Sequence, residues 1–237
     1  ASDGATPVTR REGASFLFTL GLALLLAGVV RSLEFGAAPM VAGQAINAEG
    51  PEVVGAANQV TSVLLAYRGL DTLGELTILF TASLAAGLVL GHAPPRRRET
   101  RAAGFVLRTA ADLLFPFLLV LGAYIILHGH LTPGGGFQGG AILAAAFFVP
   151  LLSRPGAPFH EGWAAWVEGS AGAAFILIGL AALFQGKAFL EPLLGTGELG
   201  TLFSAGTLPL LYLAVGLKVG SELAGLVARL GGMGEES

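Results

Sequence analysis

The stretch His128-Gly-His-Leu-Thr-Pro-Gly-Gly-Gly-Phe-Gln-Gly-Gly140 separates two hydrophobic segments that are each long enough to cross a lipid bilayer. A Pro and a Gly are enough to reverse a chain, so this stretch holds far more polar and helix-breaking residues than a turn requires. Irregular backbone at membrane depth is tolerated only where protein buries it or where it lines a water-filled cavity. We therefore expect the stretch to have a defined conformation and to contact another subunit.

The composition around this stretch is that of an integral membrane protein. Of the 237 residues, 54% are hydrophobic and only 12% are charged, whereas a soluble domain has about 25% charged residues. There is no cysteine, which excludes disulfides, thiolate zinc sites and cysteine-bound iron–sulfur centres within this chain. Nothing in the sequence supports nucleic-acid binding. We expect no catalytic residue, no metal and no cofactor.

Six hydrophobic segments of about 20 residues predict six transmembrane helices. They cover 14–31, 72–91, 104–127, 136–153, 162–185 and 200–225. The first segment is too long for a signal peptide and lacks a small-residue cleavage site, so we interpret it as a retained helix. The predicted fold class is an all-α integral membrane protein.

Lysines and arginines predict which ends of these segments face the cytoplasm, because cytoplasmic loops carry most of the positive charge. With six crossings, one side of the membrane receives Arg10, Arg11, Arg96, Arg97, Arg98, Arg101, Arg108, Arg154 and Arg229. The other side receives mainly acidic residues, namely Glu34, Glu49, Glu52, Glu191 and Glu198. We therefore expect both termini in the cytoplasm. On the opposite side we expect an external loop over 32–55 and a short interfacial helix over 58–68.

Three charged residues, Arg68, Asp71 and Glu75, are spaced by three and four positions, so they share one face if the segment is helical. Ionisable groups near lipid are expensive and tend to pair or to line a hydrated path. One interpretation is therefore the entrance of a cation or proton route. The other is an interfacial salt bridge in which Asp71 caps a helix that begins at Thr72.

Three further charged residues are candidates for the same route. Lys218 and Glu222 are four positions apart in the last hydrophobic segment. Lys218 is either a buried member of a proton relay or a side chain that snorkels to the cytoplasmic interface, and the spacing favours snorkelling. Glu168 can join a route only if it faces the protein interior. We interpret Arg108 and Asp112 as structural.

The histidines of the opening stretch, His128 and His130, lie at the outer end of the third segment. Two histidines without a third ligand nearby do not indicate a metal site. We expect both to cap the carbonyl groups of the helix end. The run Thr132-Pro-Gly-Gly-Gly-Phe-Gln138 lacks the Gly-Lys-Ser/Thr ending of a phosphate-binding loop. Instead, Thr132 is expected to cap the fourth helix and Pro133 to lie in its first turn, with Phe137 as an apolar anchor.

Two longer stretches resemble known families. Leu127-His-Gly-His-Leu-Thr-Pro-Gly-Gly-Gly-Phe-Gln-Gly-Gly-Ala-Ile-Leu143 closely resembles the signature of the B-subunit domain of Mrp-type multi-subunit sodium/proton antiporters. Related domains occur in membrane-bound hydrogenases and sulfur-reducing complexes. The resemblance covers about residues 104–230 and includes Leu217-Lys-Val-Gly220. Asn58-Gln-Val-Thr-Ser-Val-Leu-Leu-Ala-Tyr-Arg-Gly-Leu-Asp-Thr-Leu-Gly-Glu75 is similar to the small E-type subunit of the hydrogenase, which also forms the tail of the large A-type subunit of the antiporter.

The resemblance implies three regions. Residues 1–93 would form a two-helix module like the E-type subunit, 94–103 an Arg-rich cytoplasmic linker, and 104–237 a four-helix domain like the B-type subunit of the antiporter. The chain would be a non-catalytic subunit in a prokaryotic plasma membrane, surrounded by lipid and by other subunits of the complex. It would belong to the module proposed to carry sodium in an exchange of Na⁺ for H⁺.

The same resemblance sorts the candidate residues. The candidates for a cation or proton path are Arg68, Asp71, Glu75, Glu168, Lys218 and Glu222. Motif residues expected at subunit contacts are His128, His130, Thr132, Pro133, Gly134, Gly135, Gly136, Phe137 and Gln138. Two alternatives remain open, namely a subunit in the ion-pumping arm of a membrane-bound hydrogenase or related redox complex, and a purely scaffolding subunit. We detect no inverted repeat, which argues against a transporter that works alone.

Overall fold

The computed structural model describes residues 10–33, 36, 40–91, 103–154 and 159–230, and their regular structure is entirely helical. The helices are α1 (Arg10–Ser32), α2 (Val41–Val54), α3 (Gln59–Thr61), α4 (Gly69–Gly91), α5 (Phe105–Leu127), α6 (Gly136–Ser153), α7 (Glu161–Phe184) and α8 (Leu208–Leu230). A π-helical segment, Ser62–Tyr67, follows α3 directly.

Six of these helices, α1 and α4 to α8, are long and apolar enough to cross a membrane. The prediction of an all-α, six-span, multi-pass membrane protein is therefore confirmed. The Arg-rich stretch 94–101 lies outside the described residues, so the division at 94–103 stays a prediction. The cytoplasmic location of both termini also stays a prediction.

Three expected boundaries were wrong. The last span was expected from residue 200, but α8 begins at Leu208, because Ala205 and Gly206 have φ angles of 64° and 58° that a right-handed helix does not permit. Helix α4 begins at Gly69 and not at Thr72. The expected loop over 32–55 contains α2, which forms although Gly43, Gly50 and Pro51 lower its helix propensity.

The chain forms two compact units, Ala1–Gln44 and Ala45–Ser237. The first unit contains α1. In the second, α8 is the central helix and packs against α4, α5, α6 and α7. Its buried side chains Leu211, Val215 and Val219 form one apolar core with Ile126 of α5 and Phe175 of α7.

Glycines allow α5, α6 and α8 to approach each other closely. A Cβ atom built on Gly139 would lie 2.8 Å from the carbonyl oxygen of Gly122, and one on Gly140 would lie 2.8 Å from that of Gly216. At these positions backbone lies against backbone, which is how transmembrane helices pack through small residues. This packing fixes the start of α6, and with it the Gly-rich stretch, against the middle of the second unit.

Candidate functional site

The Gly-rich stretch begins where α5 ends. The ring Nδ1 of His128 lies 3.0 Å from the carbonyl oxygen of Tyr124, and the two rings stack at 4.1 Å between centroids. The backbone N–H of His128 donates to the same oxygen, also at 3.0 Å. The expected capping role of His128 at this helix end is confirmed.

Thr132 and Pro133 do not open the next helix as expected. The Thr132 hydroxyl donates to the carbonyl oxygen of His128 at 3.3 Å, so it caps the end of α5. Helix α6 begins at Gly136, after two glycines, Gly134 and Gly135, with φ angles of 155° and 129°. These angles are incompatible with a helix that starts at Pro133, which explains the error.

His130 is buried and does not cap α5. Its Nε2 lies 3.3 Å from the carbonyl oxygen of Thr201, in the loop that follows α7. Burial lowers the pKa of His130 below its ordinary value of 6.5, against the opposing effect of hydrogen bonds to the backbone of Thr201 and Leu202. The neutral ring therefore joins two loops at one end of the bundle, a contact that the sequence did not indicate.

Asn58 and Thr61 close the Gly-rich stretch from the other side. The Asn58 amide donates to the carbonyl oxygens of Gly129 and Thr132, both at 2.9 Å. The backbone N–H of Asn58 donates to the carbonyl oxygen of His130 at 3.0 Å, and the Thr61 hydroxyl donates to that of Gly129 at 2.9 Å. Residues of the same chain thus satisfy much of the hydrogen-bonding capacity that had suggested a contact with another subunit.

A π-helical turn leads from these residues into α4. The N–H of Arg68 donates to the carbonyl oxygen of Val63 at 2.8 Å, a five-residue step. The Thr72 hydroxyl donates to the carbonyl oxygen of Leu64, also at 2.8 Å, and so joins α4 to this turn. Isolated π-helical turns are frequent at functional sites.

The structure separates Arg68 and Asp71 from Glu75. Arg68 and Asp71 form an exposed ion pair, with Nε to Oδ2 at 2.6 Å. Asp71 lies in the first turn of α4 and is not the cap before Thr72 that the sequence suggested. Glu75 instead lines a cavity of about 70 Å³ together with Gln138 and Tyr212.

This small cavity brings the motif and the first half of the chain together. Gly134, Gly135 and Gly136 form one wall, and Phe137 packs against the apolar core beside it. The hydroxyl of Tyr212 is buried and has no hydrogen-bond partner among the described residues. A cavity of this size holds about two waters.

The second candidate cluster lies at the middle of α8. The Lys218 ammonium is 3.1 Å from Oε2 of Glu222 and 3.3 Å from Oε1 of Glu168, and it lies 5.1 Å from the ring centroid of Phe80. The Lys218 side chain is 11% exposed. The favoured expectation that it snorkels to the interface was therefore wrong, because two carboxylates hold the ammonium inside the bundle. Glu168 faces the protein interior, which was the condition for it to join a cation or proton route.

A cavity of about 300 Å³ extends from this cluster between α4, α7 and α8. Glu168 and Glu222 line it, and Glu161 and Arg229 lie along the same cavity, with Arg229 Nε 3.3 Å from Glu161 Oε2. Oε1 of Glu222 is buried and lacks a hydrogen-bond partner among the described residues.

Asp112 of α5 forms an ion pair with Arg154, which directly follows α6. Arg154 Nη2 donates to both carboxylate oxygens of Asp112, at 2.6 and 2.7 Å. Both members of the observed pair are about half exposed, so the pair ties α5 to the end of α6 with a small stabilisation.

Comparison with known proteins identifies the family. A protein-family profile described as a domain related to the MnhB subunit of Na⁺/H⁺ antiporter matches residues 106–225. The chain belongs to this MnhB-related family. The matched region starts in α5 and ends in α8, and it includes the Gly-rich stretch, Lys218 and Glu222. The predicted resemblance to the antiporter B-subunit domain is confirmed.

Two solved complexes contain chains that are similar to this MnhB-related chain. A chain of the membrane-bound sulfane sulfur reductase, an archaeal respiratory membrane complex, is 38% identical with a TM-score of 0.76, covering 94% of this chain and 98% of that one. A chain of the Mrp complex from Dietzia sp. DQ12-45-1b is 27% identical with a TM-score of 0.73, covering 98% of this chain and 27% of that one. A Rhizobium meliloti protein, named as the probable A/B component of a K⁺/H⁺ antiporter, is 30% identical over 48% of this chain and 13% of its own length.

Proposed function

We propose that this MnhB-related chain is a non-catalytic subunit of a multi-subunit, Mrp-type cation/proton antiporter, where it contributes to the sodium-translocating module and to subunit packing. The observation that carries the proposal is the cluster of Glu168, Lys218 and Glu222. Lys218 lies ten residues from Leu208 and twelve from Leu230, at the centre of a helix long enough to span the bilayer. Charged side chains at that depth are rare and usually serve ion pathways.

The comparisons support membership of a complex. Similar chains occur in the Dietzia Mrp complex and in the archaeal sulfane sulfur reductase. The partners of this chain would be the other subunits and the surrounding lipid, with H⁺ and a monovalent cation as transported ions. The family description names Na⁺, whereas the Rhizobium relative is named for K⁺, so both cations need to be tested.

A specific observation favours a second candidate function. The similarity to the sulfane sulfur reductase covers 98% of that chain, whereas it covers 27% of the Mrp chain. The organisation of this chain therefore matches that of a separate subunit in a respiratory complex. In that setting the chain would belong to the ion-pumping arm of a redox-driven complex, with electron transfer in other subunits.

Gentle purification of the tagged chain from native membranes, followed by mass spectrometry of the copurifying proteins, separates the two functions. Large antiporter-like subunits without iron–sulfur proteins would support the antiporter. Iron–sulfur or other redox subunits would support the pumping arm. A lone, monodisperse chain would contradict both.

Transport by the purified complex in vesicles tests the role of the chain itself. We expect that neutralising Glu75 or Lys218 abolishes proton exchange against Na⁺ or K⁺, while the complex still assembles. Unchanged exchange in both variants would instead make this a purely scaffolding subunit.

A further inference from the structure

A polar strip follows α8 from its last turn to its middle. Lys218, Glu222 and Arg229 are separated by four and seven residues, so they share one helical face. At 1.5 Å per residue the strip is about 16 Å long, roughly half of the hydrocarbon thickness of about 30 Å. Glu161 and Glu168, seven residues apart on α7, line the same cavity.

The charged side chains near the end of α8 are more exposed than those near its middle. Arg229 and Glu161 are 41% and 32% exposed, Glu168 and Lys218 are 21% and 11% exposed, and Glu222 is 1% exposed. The most exposed pair, Arg229–Glu161, therefore marks the entrance of the cavity, and Glu222 is the least exposed charged residue that lines it. Phe80 also lines the cavity, and the Lys218 ammonium lies 5.1 Å from the centroid of its ring.

The groups around Lys218 leave little room for a second cation. Its ammonium lies within 3.3 Å of an oxygen of each carboxylate, which is the place that a sodium ion would need. A cation added beside the ammonium would be repelled strongly in a medium of low dielectric constant. Helix α6 carries no ionisable residue, the ionisable Asp71 and Glu75 lie in the first two turns of α4, and Asp112 of α5 is engaged by Arg154.

The charge of the cluster favours one added proton. Two carboxylates and one ammonium give a net charge of −1, and a single proton makes the cluster neutral, which is the cheaper state in the middle of a membrane. Oε1 of Glu222 is the acceptor that remains without a hydrogen-bond partner among the described residues. It is buried, and Glu222 lines the cavity.

We infer that Glu168, Lys218 and Glu222 form a proton-binding site supplied through the cavity between α4, α7 and α8, and that this site does not bind sodium. This inference rests on the proposed function and names the ion that this site handles. A hydronium ion in the cavity gives its proton to Oε1 of Glu222; one O–H bond breaks, another forms, and neutral water remains. Lys218 keeps its three protons and its ion pair with Glu168.

The test uses the purified complex in vesicles, with Glu222→Gln, Glu222→Asp and the control Asp112→Asn, whose side chain lies outside the cavity. We expect Glu222→Gln to lower the maximal rate of proton exchange at least about tenfold, with the KM for Na⁺ unchanged within about twofold. Glu222→Asp should restore part of the rate and shift its pH profile, and Asp112→Asn should behave as the wild type. A raised KM for Na⁺ at an unchanged maximal rate would make the cluster a sodium site and overturn the inference. Equal losses in Glu222→Gln and Asp112→Asn would also overturn it.

Infrared difference spectroscopy of the same complex provides a readout that does not depend on transport. Between about pH 5 and about pH 9 the wild type should show a protonated carboxyl band that is absent in Glu222→Gln, displaced in Glu222→Asp and unaffected by Na⁺. If the complex with Glu222→Gln does not assemble, the displacement of the band in Glu222→Asp tests the inference. Absence of the band, or its removal by Na⁺, overturns the inference. A wild-type complex that shows the band but exchanges neither Na⁺ nor K⁺ for H⁺ would contradict the proposed function alone.

Discussion

Asn58 satisfies two carbonyl groups of the Gly-rich stretch with a single side-chain amide, at Gly129 and Thr132. Each of these hydrogen bonds contributes a net stabilisation of about 0.5–1.5 kcal/mol, and the loss of Asn58 removes both. This makes Asn58 the side chain on which the conformation of the stretch depends most directly, although it lies some 70 residues earlier in the chain.

We expect Asn58→Ala to lower the free energy of unfolding by about 1–3 kcal/mol, measured by thermal unfolding of the purified protein. Asn47→Ala is the matched control, because Asn47 is an exposed residue of α2. If Asn58→Ala had the same unfolding midpoint as the control, the Asn58 amide would not stabilise the Gly-rich stretch as described.

The buried His130 predicts that the stability of the folded protein depends on pH. Because burial lowers its pKa in the folded state, the unfolded state binds more protons between the folded pKa and 6.5. The stability that the neutral ring contributes is therefore complete above 6.5, and it is lost as the pH falls from 6.5 towards the folded pKa.

Acidification from about pH 7.5 to about pH 5.5 should lower the unfolding temperature of the wild type more than that of His130→Gln. The glutamine amide keeps a donor for Thr201 but does not titrate. The same acid-induced loss in both proteins would show that other groups cause it.

Lys218 should be more important for stability than the exposed ion pairs. Its removal leaves the buried carboxylate of Glu222 without its partner, beside the partly exposed Glu168, which costs about 3–5 kcal/mol. Loss of the half-exposed pair in Asp112→Asn costs about 1 kcal/mol or less. We expect Lys218→Met to lower the unfolding temperature clearly and Lys218→Met/Glu222→Gln to recover part of the loss. A double variant less stable than Lys218→Met would contradict this account.

At the scale of helices, the positions of α5, α6 and α8 depend on glycines with no space for a side chain. A Cβ atom on Gly140 would lie 2.8 Å from the Gly216 oxygen and 2.8 Å from Cβ of Val219. Both neighbours belong to α8 and are held by the core, so neither can move without displacing that helix.

Gly140→Ala should therefore destabilise the protein by about 1–3 kcal/mol, the usual cost of overpacking. Gly74→Ala in α4 is the control, because a Cβ atom there meets nothing within 4 Å and alanine favours a helix by about 0.5–1 kcal/mol over glycine. Chemical unfolding of both variants in detergent measures the difference. Equal stability would show that the helices adjust more freely than this packing implies.

At the scale of the whole molecule, the absence of cysteine makes the orientation directly testable. Single-cysteine variants Glu198→Cys and His160→Cys place a thiol at exposed positions near opposite ends of α7. If both termini are cytoplasmic, an impermeant maleimide should label Glu198→Cys in intact cells and His160→Cys only after the membrane is opened. The reverse pattern would place the mouth of the α4–α7–α8 cavity on the outer face.

The sequence alone determined the six spans, the membrane class and the family, because the length and hydrophobicity of a segment and a continuous motif are properties of the local chain. Composition also limited the chemistry, since a chain without cysteine cannot hold thiolate-bound centres. The start of α8 could not be predicted in the same way, because the apolar residues before Leu208 read as a continuation of the span.

Only the tertiary structure decided which polar groups meet. The spacing of Lys218 and Glu222 allowed both snorkelling and burial, and Glu168 of another helix, 50 residues away, settled the choice. His130 likewise has a partner, Thr201, that local spacing did not suggest. The physical reason is that a polar group in lipid must find a partner in space, and which helix provides it depends on how the glycines of α5, α6 and α8 let the helices pack.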